Sequence, residues 1–356
     1  MVLQFEGASC LRQRLVCATL SFRAISIKNI RTKTQNPGLK EYEVSFLKLL
    51  EKISNGCKIE INTTGTCVYY KPGIVTGGKI EHDCGTERGI GYFLEGLICI
   101  APFSKAPVNA LLKGITNHSD NLDISVDTAH HVTLNNLKHF AIEEASIKVL
   151  KRGAPPKGGG AVRFVCSIVK TLKPIRLIDD GKIRRIRGVA YTARVSGHVS
   201  NRIIQKSREI LGEYCPDIYI YADINGEKDG GNSPGYGLML VAETTTGCFL
   251  SYEMMAQSRQ VPEEFVEQVT NFFMMELLRR GCVDSTNQGT MVFLMALAPD
   301  VSTIRLGKLS QWTIQFLRHI KQFFGVTFKI EPDPESKTSI LTCLGTGYTN
   351  LGKKTF

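Results

Sequence analysis

Arg152-Gly153-Ala154-Pro155-Pro156-Lys157-Gly158-Gly159-Gly160-Ala161-Val162 is the stretch on which the reading of this chain turns. Three consecutive glycines make a backbone that takes positive φ and leaves its N–H groups uncovered by any Cβ. Two prolines stiffen the approach, and Arg152 and Lys157 bring positive charge beside the turn. Bared N–H groups with cations next to them form a cradle for a phosphate. The flanks, Ile147-Lys148-Val149-Leu150 and Val162-Arg163-Phe164-Val165-Cys166, read as strands. The same residues therefore also describe a wide glycine-rich hairpin with no ligand at all.

Outward from this loop the chain alternates helix-like and strand-like periods, the pattern of an α/β fold. Residues 11–20 read as a helix and 25–30 as a strand. Over 39–54, Leu39, Tyr42, Phe46, Leu49, Leu50 and Ile53 recur in steps of three and four and describe one buried helix face. Strands are expected at 58–62, 66–70 and 108–113, with a helix at 87–101. Pro72-Gly73 followed by Gly77-Gly78 echoes the loop at 152–160 and suggests a repeated unit. Further on come a helix at 200–212, strands at 217–222, 238–243 and 247–252, and a helix at 262–279. The segment 226–237 holds five glycines and one proline and reads as a long mobile loop. The end of the chain adds two strands and a short basic tail at Lys353-Lys354.

Composition narrows the class. A chain of 356 residues suggests about two domains, and 43% hydrophobic with 22% charged residues is ordinary for a globular protein. The net charge of +11 points to a polyanionic partner. Eleven scattered cysteines without a C-x-x-C pair read as reduced, mostly packed thiols. Glu6, Arg12 and Arg14 interrupt the first apolar run, which argues against a secretory leader, and no apolar stretch reaches the ~18 residues of a membrane span. The chain lacks the G-x-x-x-x-G-K-[ST], H-E-x-x-H and G-x-S-x-G motifs. His130-His131 with Asp127 lack a third ligand and read as a solvated helix start, so no metal site is expected.

The full pattern Arg-Gly-x-x-Pro-x-Gly-Gly-Gly-x-Val resembles the signature of the RNA 3′-terminal phosphate cyclase superfamily. The resemblance extends to Leu11-Arg12, Ile30-Arg31, Asn36-Pro37-Gly38-Leu39, Lys71-Pro72-Gly73, Gly114-Ile115-Thr116-Asn117 and Met295-Ala296-Leu297-Ala298. Lys182-Ile183-Arg184-Arg185-Ile186-Arg187-Gly188, Pro216–Tyr221 and Gly281–Gln288 are similar to its cyclase-like branch of nucleolar ribosome-biogenesis proteins. The resemblance implies an α/β (α+β) fold of the cyclase and enolpyruvate-transferase type. That fold has three βαβαββ repeats about a pseudo-threefold axis, here with a main domain at 1–186 and 282–356. A smaller inserted α/β domain is placed at 187–281.

Active members transfer a nucleotidyl group through a histidine–AMP intermediate in a His-x-x-Thr-Asn-Ile motif. The matching stretch here is Leu306-Gly307-Lys308-Leu309-Ser310-Gln311-Trp312-Thr313-Ile314, with Leu309 at the nucleophile position and Lys308 there after a one-residue slip. Leucine cannot replace an imidazole in covalent catalysis. The family's Gly-Glu-Gly-Gly-Gly-Gln motif has become Phe5-Glu6-Gly7-Ala8-Ser9-Cys10, and its Asp-Gln pair aligns with Gly289 and Thr290. The expectation is a protein that is not a cyclase and uses no cofactor.

The anion-handling parts persist. Arg12, Arg31, Arg152, Lys157, Gly158, Gly159 and Gly160 are the candidate anion or RNA site, since guanidinium binds phosphate oxygens in pairs. As local structure alone, Arg12 is a helix-surface cation and Arg31 a strand-end cation. Lys182, Arg184, Arg185 and Arg187 form a basic interface candidate: at period two, Lys182 and Arg184 share one strand face and Arg185 and Arg187 the other. No aromatic-interleaved RNA module is visible. The resemblance further implies small-subunit (18S) rRNA processing in the nucleus and nucleolus. Its implied partners are a large ribosome-biogenesis GTPase, the small-subunit processome with its guide snoRNP, and pre-rRNA, with no membrane. The rival expectation is an RNA-processing enzyme, a cyclase or endonuclease, with another nucleophile or base. Arg318, His319 and Lys321 are its candidates.

Overall fold

The computed structural model describes residues 2–118 and 123–350; the tail at Lys353-Lys354 lies outside them. Three sheets share one topology. The first joins β1 (Leu3–Glu6), β2 (Ile25–Lys28), β3 (Lys58–Ile61) and β4 (Val68–Lys71) in the order β1-β2-β4-β3. The second joins β5 (Gly78–Asp83), β6 (Val108–Gly114), β7 (Ala145–Lys151) and β8 (Gly160–Cys166) in the order β5-β6-β8-β7. The third begins with β9 (Arg176–Leu177) and is completed much later in the chain. In each sheet the first two strands are parallel and the rest antiparallel. This is the three-repeat α/β architecture that the resemblance implied.

Between β9 and the rest of the third repeat the chain builds a fourth sheet. Its strands are β10 (Ile183–Ala193), β11 (Ile218–Asn225), β12 (Gly235–Thr244) and β13 (Phe249–Met255), ordered β11-β10-β12-β13. The third sheet then finishes with β14 (Val301–Leu306), β15 (Lys329–Asp333) and β16 (Thr338–Leu344), giving the order β9-β14-β16-β15.

Parallel first and second strands need a crossover, and a helix supplies it in every repeat. These are α1 (Leu11–Ser21), α3 (Ile90–Ile100) and α7 (Gln288–Leu297). Residues 11–20 of α1 and all of α7 are buried, as is α3 apart from Glu95, so these helices are not amphipathic surface elements but the centre of the molecule. The second helix of each repeat lies further out: α2 (Glu41–Ile53), the helical run 126–138 (α4, its middle wound as a π turn) and α8 (Gln311–Phe324). Phe46, Phe93, Phe293 and Phe316 join the repeats in one continuous core.

The inserted sheet has two different faces. One is covered by α5 (Gly197–Leu211) and α6 (Pro262–Leu278), which bury Ile203, Leu238, Phe265 and Phe273. On the other, Val189, Tyr191, Met239 and Val241 pack around Val132 of α4. Because β10 begins at Ile183 and Ile186 lies in the insert's core, the inserted sheet starts four residues before the expected 187. Alternation marks a strand but not the sheet it joins, so the sequence could not locate this edge.

The segment 226–237, expected to be a loose loop, is tied down. Arg152 N donates to Asp229 O (2.9 Å), Asn232 N to Gly158 O (2.9 Å) and Lys157 N to Ser233 Oγ (3.1 Å), after which Gly235 opens β12. No helix among the described residues is long and apolar enough to cross a membrane.

Candidate functional site

The glycine-rich loop does not stand open as a phosphate cradle, because the inserted domain occupies it. Gly158 N turns back to Ala154 O (3.0 Å), and Gly158 O is taken by Asn232. A Cβ on Gly159 would fall 2.6 Å from Asn232 Nδ2, and one on Gly153 would fall 2.4 Å from Gly160 N. The glycines are there because backbones meet, which is their second use besides positive φ. Lys157 is exposed at the tip.

The arginines of the expected anion site are likewise already engaged. Arg152, 2% exposed, pairs with Asp127 and Asp223, donates to Asn117 Oδ1 (2.9 Å) and stacks over Tyr191 at 4.7 Å. Asn117 Nδ2 continues the chain to Asp127 Oδ2 (2.9 Å) and Glu253 Oε1 (2.8 Å). A buried polar chain thus runs from β13 through the main domain to β11. Burial opposes the charge on Arg152, but the Asp127 and Asp223 carboxylates outweigh it and raise its pKa.

Arg31 makes a fork to Glu43, at 2.7 and 2.6 Å, and a bond to Gly38 O (3.0 Å). Arg12 is not on a helix surface: it is 4% exposed, paired with Glu95 and Asp123 and hydrogen-bonded to Tyr92 O (2.9 Å). In the basic strand, Arg185 pairs with Glu243 and Arg187 with Asp217, while Lys182 and Arg184 are exposed. The structure brings Arg12 to a cleft and Arg152 to the domain joint. It leaves Arg31 beside α2 and the basic strand on the insert.

The cleft is a cavity of about 430 Å3 between Arg12, Glu95, Arg279 and the turn Lys308–Trp312. It continues into a second cavity, about 270 Å3, between α6 and the segment holding Ser125 and Thr128. The turn that matches the family's nucleophile motif lines it, with Leu309 apolar and Lys308 exposed. No histidine lines this first cavity among the described residues; His118 lines the second. Gln288, which the sequence did not single out, holds the turn: its Oε1 accepts from Ser310 N and Thr313 Oγ1, both at 3.1 Å. Arg12 also lies 5.2 Å from the Trp312 ring, and both line the cleft with Leu309.

The rival candidates do not converge. His319 is 5% exposed, bonded to Gln13 Oε1 (3.1 Å) and to Arg14 Nε (3.3 Å), and edge-on to Phe5. Burial and Arg14 push its pKa down to about 4. Arg318 and Lys321 are exposed on the helix outside. His130 is exposed near the start of α4, as expected, and His131 is half-buried beside it. They stack at 4.6 Å within α4, and His131 Nε2 shares a hydrogen bond with Tyr221 (2.8 Å).

Two carboxyls were not singled out in the sequence, Asp284 buried and Glu253 half-buried at the wall of the second cavity. Glu253 is bonded to Ser125, Thr128 and Asn117, and its pKa is pushed up to about 7 by burial and by Asp127. Asp284 accepts from Ser251 N (3.1 Å) and Asn287 and rises to about 6 through burial. Asn117 and Asp284 lie inside segments that carry the resemblance, Gly114–Asn117 and Gly281–Gln288, and Asp127 stands beside the histidine pair. Glu253 carried no signal, because its partners Asn117, Ser125 and Thr128 lie far away in the chain.

A fold of three such repeats with an insert in the third, around a cleft at this turn, defines a cyclase-type protein. The chain belongs to the RNA 3′-terminal phosphate cyclase family, whose model matches residues 3–330. It is 51% identical to a probable RNA 3′-terminal phosphate cyclase-like protein of Dictyostelium discoideum, over all of both chains. It is 49% identical to the human RNA 3′-terminal phosphate cyclase-like protein, over 99% of this chain and 97% of that one. With an rRNA processing protein of Schizosaccharomyces pombe it shares 40%, over 99% and 98%.

Proposed function

We propose that this protein is a non-catalytic cyclase-fold component of rRNA processing, acting on the small-subunit (18S) pathway in the nucleolus. What supports the reading is Leu309, an apolar side chain that lines the cleft and that the family resemblance puts at the position where the mechanism needs an imidazole. The name of the Schizosaccharomyces pombe relative supports the rRNA processing part. The expected partners are a large ribosome-biogenesis GTPase, the small-subunit processome with its guide snoRNP, and pre-rRNA. With its internal arginines neutralised by carboxylates, the protein offers partners its surface and its domain joint rather than an anion pocket.

Incubation with α-labelled ATP and magnesium tests the absence of nucleotidyl transfer. The expected result is no labelled protein and no cyclised RNA ends, beside a cyclase that labels. A labelled adduct would overturn the reading. Lys308, exposed beside Leu309, favours a second reading as an RNA enzyme with a substitute nucleophile. An adduct lost in Lys308→Ala would establish it. Depletion in cells, with 18S precursors followed by hybridisation, tests the pathway: their accumulation is expected, and normal 18S maturation would refute it.

A further inference from the structure

The sheet of the inserted domain sets the basic run 182–187, an interface candidate from the sequence, beside exposed tyrosines that the sequence did not pick out as binding residues. Strand β11 lies at the edge of the sheet, and its parallel register with β10 sets Tyr219 beside Arg187 and Tyr221 beside Val189. The antiparallel register with β12 continues those rows to Val241 and Met239, and places Arg185 opposite Glu243. Tyr219 is 57% exposed and Tyr221 39%. Beneath Tyr221 is a cavity of about 280 Å3 between this sheet face and α4, lined by His131, Asn135, Val189 and Phe249.

Each part fits one kind of ligand. Flat aromatic side chains standing on an open sheet stack nucleobases, and single-stranded RNA is read this way because its bases are free to splay out. The tyrosine hydroxyl, the imidazole of His131 and the amide of Asn135 offer hydrogen bonds at the rim of the cavity to a base edge. Burial keeps both stacked histidines below their ordinary pKa, so at neutral pH they present uncharged rings.

Charge agrees. Lys182, Arg184, Arg185 and Arg187 lie at this end of β10 against two pairing carboxylates, Glu243 and Asp217. Asp217 and Arg187 are themselves open to water, and such surface pairs exchange partners at little cost.

We propose that this face, Tyr219 and Tyr221 with Arg185, Arg187 and the cavity at His131, is a binding platform for single-stranded RNA. It deepens the reading above and rests on the part of it that has the protein touching pre-rRNA.

The test is fluorescence anisotropy of a labelled single-stranded oligouridine titrated with the full chain. Tyr219→Ala with Tyr221→Ala is expected to weaken binding at least about tenfold, since each base–aromatic stack contributes about 1–3 kcal/mol. Tyr219→Phe keeps the ring and is expected to bind like the parent chain. Lys58→Ala, on the first sheet, is a neutral control. Photo-crosslinking of the bound RNA is expected to mark the peptide containing Tyr219. Unchanged affinity in the double variant, with its circular dichroism and melting intact, would overturn the platform while leaving RNA contact standing. No binding by the parent chain would remove the RNA contact itself. Retained RNA affinity, with loss of a protein partner from pull-downs of the double variant, would assign the face to protein instead.

Discussion

Arg152 shows how one side chain can look like a ligand-binding group and serve as a tether. Its guanidinium satisfies Asp127, Asp223 and Asn117 at once, with Asp127 and Asn117 buried and Asp223 partly open to water. Removing one partner of a buried pair leaves the other charge unpaired, which costs about 3–5 kcal/mol. Arg152→Ala is therefore expected to lose that much in urea unfolding, and Arg152→Lys to recover only part of it, because an ammonium cannot fork to two carboxylates. Glu253 belongs to the same chain of contacts and gives stability a pH dependence. Its pKa is about 7 in the fold against 4.5 as the ordinary value. Between those two values the unfolded chain releases a proton that the folded one keeps. Stability accordingly falls as pH rises from 4.5 to 7, and the loss is complete above 7. Melting temperatures across that window are expected to show the decline, and Glu253→Gln to flatten it. An unchanged slope in Glu253→Gln would place the dependence elsewhere, Asp284 first.

Elements explain what the glycines do. The loop after β7 and the strap 229–233 meet backbone to backbone, and Gly159 (φ +79°) has Asn232 where a side chain would start. Gly159→Ala is expected to cost roughly 1–3 kcal/mol, from positive φ combined with the clash. Limited proteolysis should show it as faster cutting within 226–237. α8 reads differently. Its buried His319 and exposed Arg318 and Lys321 point apart, so His319→Gln is expected to alter melting but not rRNA processing. The helical reading of the sequence already set the three on different sides, because within one helical turn adjacent residues face different ways.

For the whole molecule, most of the positive charge lies at the surface, while Arg12 in the cleft and Arg152 at the joint are paired with carboxylates. Any RNA binding is then a surface property and should weaken with salt, by a slope of about −0.7 in log affinity against log salt for each phosphate engaged on a single strand. Anisotropy titrations between low and physiological salt measure it, and a flat response would contradict a surface site. The inserted domain meets the repeats through both the polar chain at Arg152 and the apolar contact around Val132. One cooperative unfolding transition is expected, splitting into two when Arg152 is replaced.

Much of this was legible in the residues themselves. The glycine loop and the alternating periods depend on local pattern and pointed to an α/β fold, while the three repeats and the place given to Leu309 followed from the family resemblance. Pattern marked the buried α1 only as a helix and did not mark α7 at all, since a helix apolar all round carries no face to read. What only the tertiary structure decided is which charges meet. Arg152 finds Asp223 by a side-chain contact across the domain joint, and Tyr219 finds Arg187 through pairing between strands whose register is set by the fold as a whole rather than by either strand alone. The sequence therefore displayed the cations, and the structure alone showed which of them are already paired and which still face solvent.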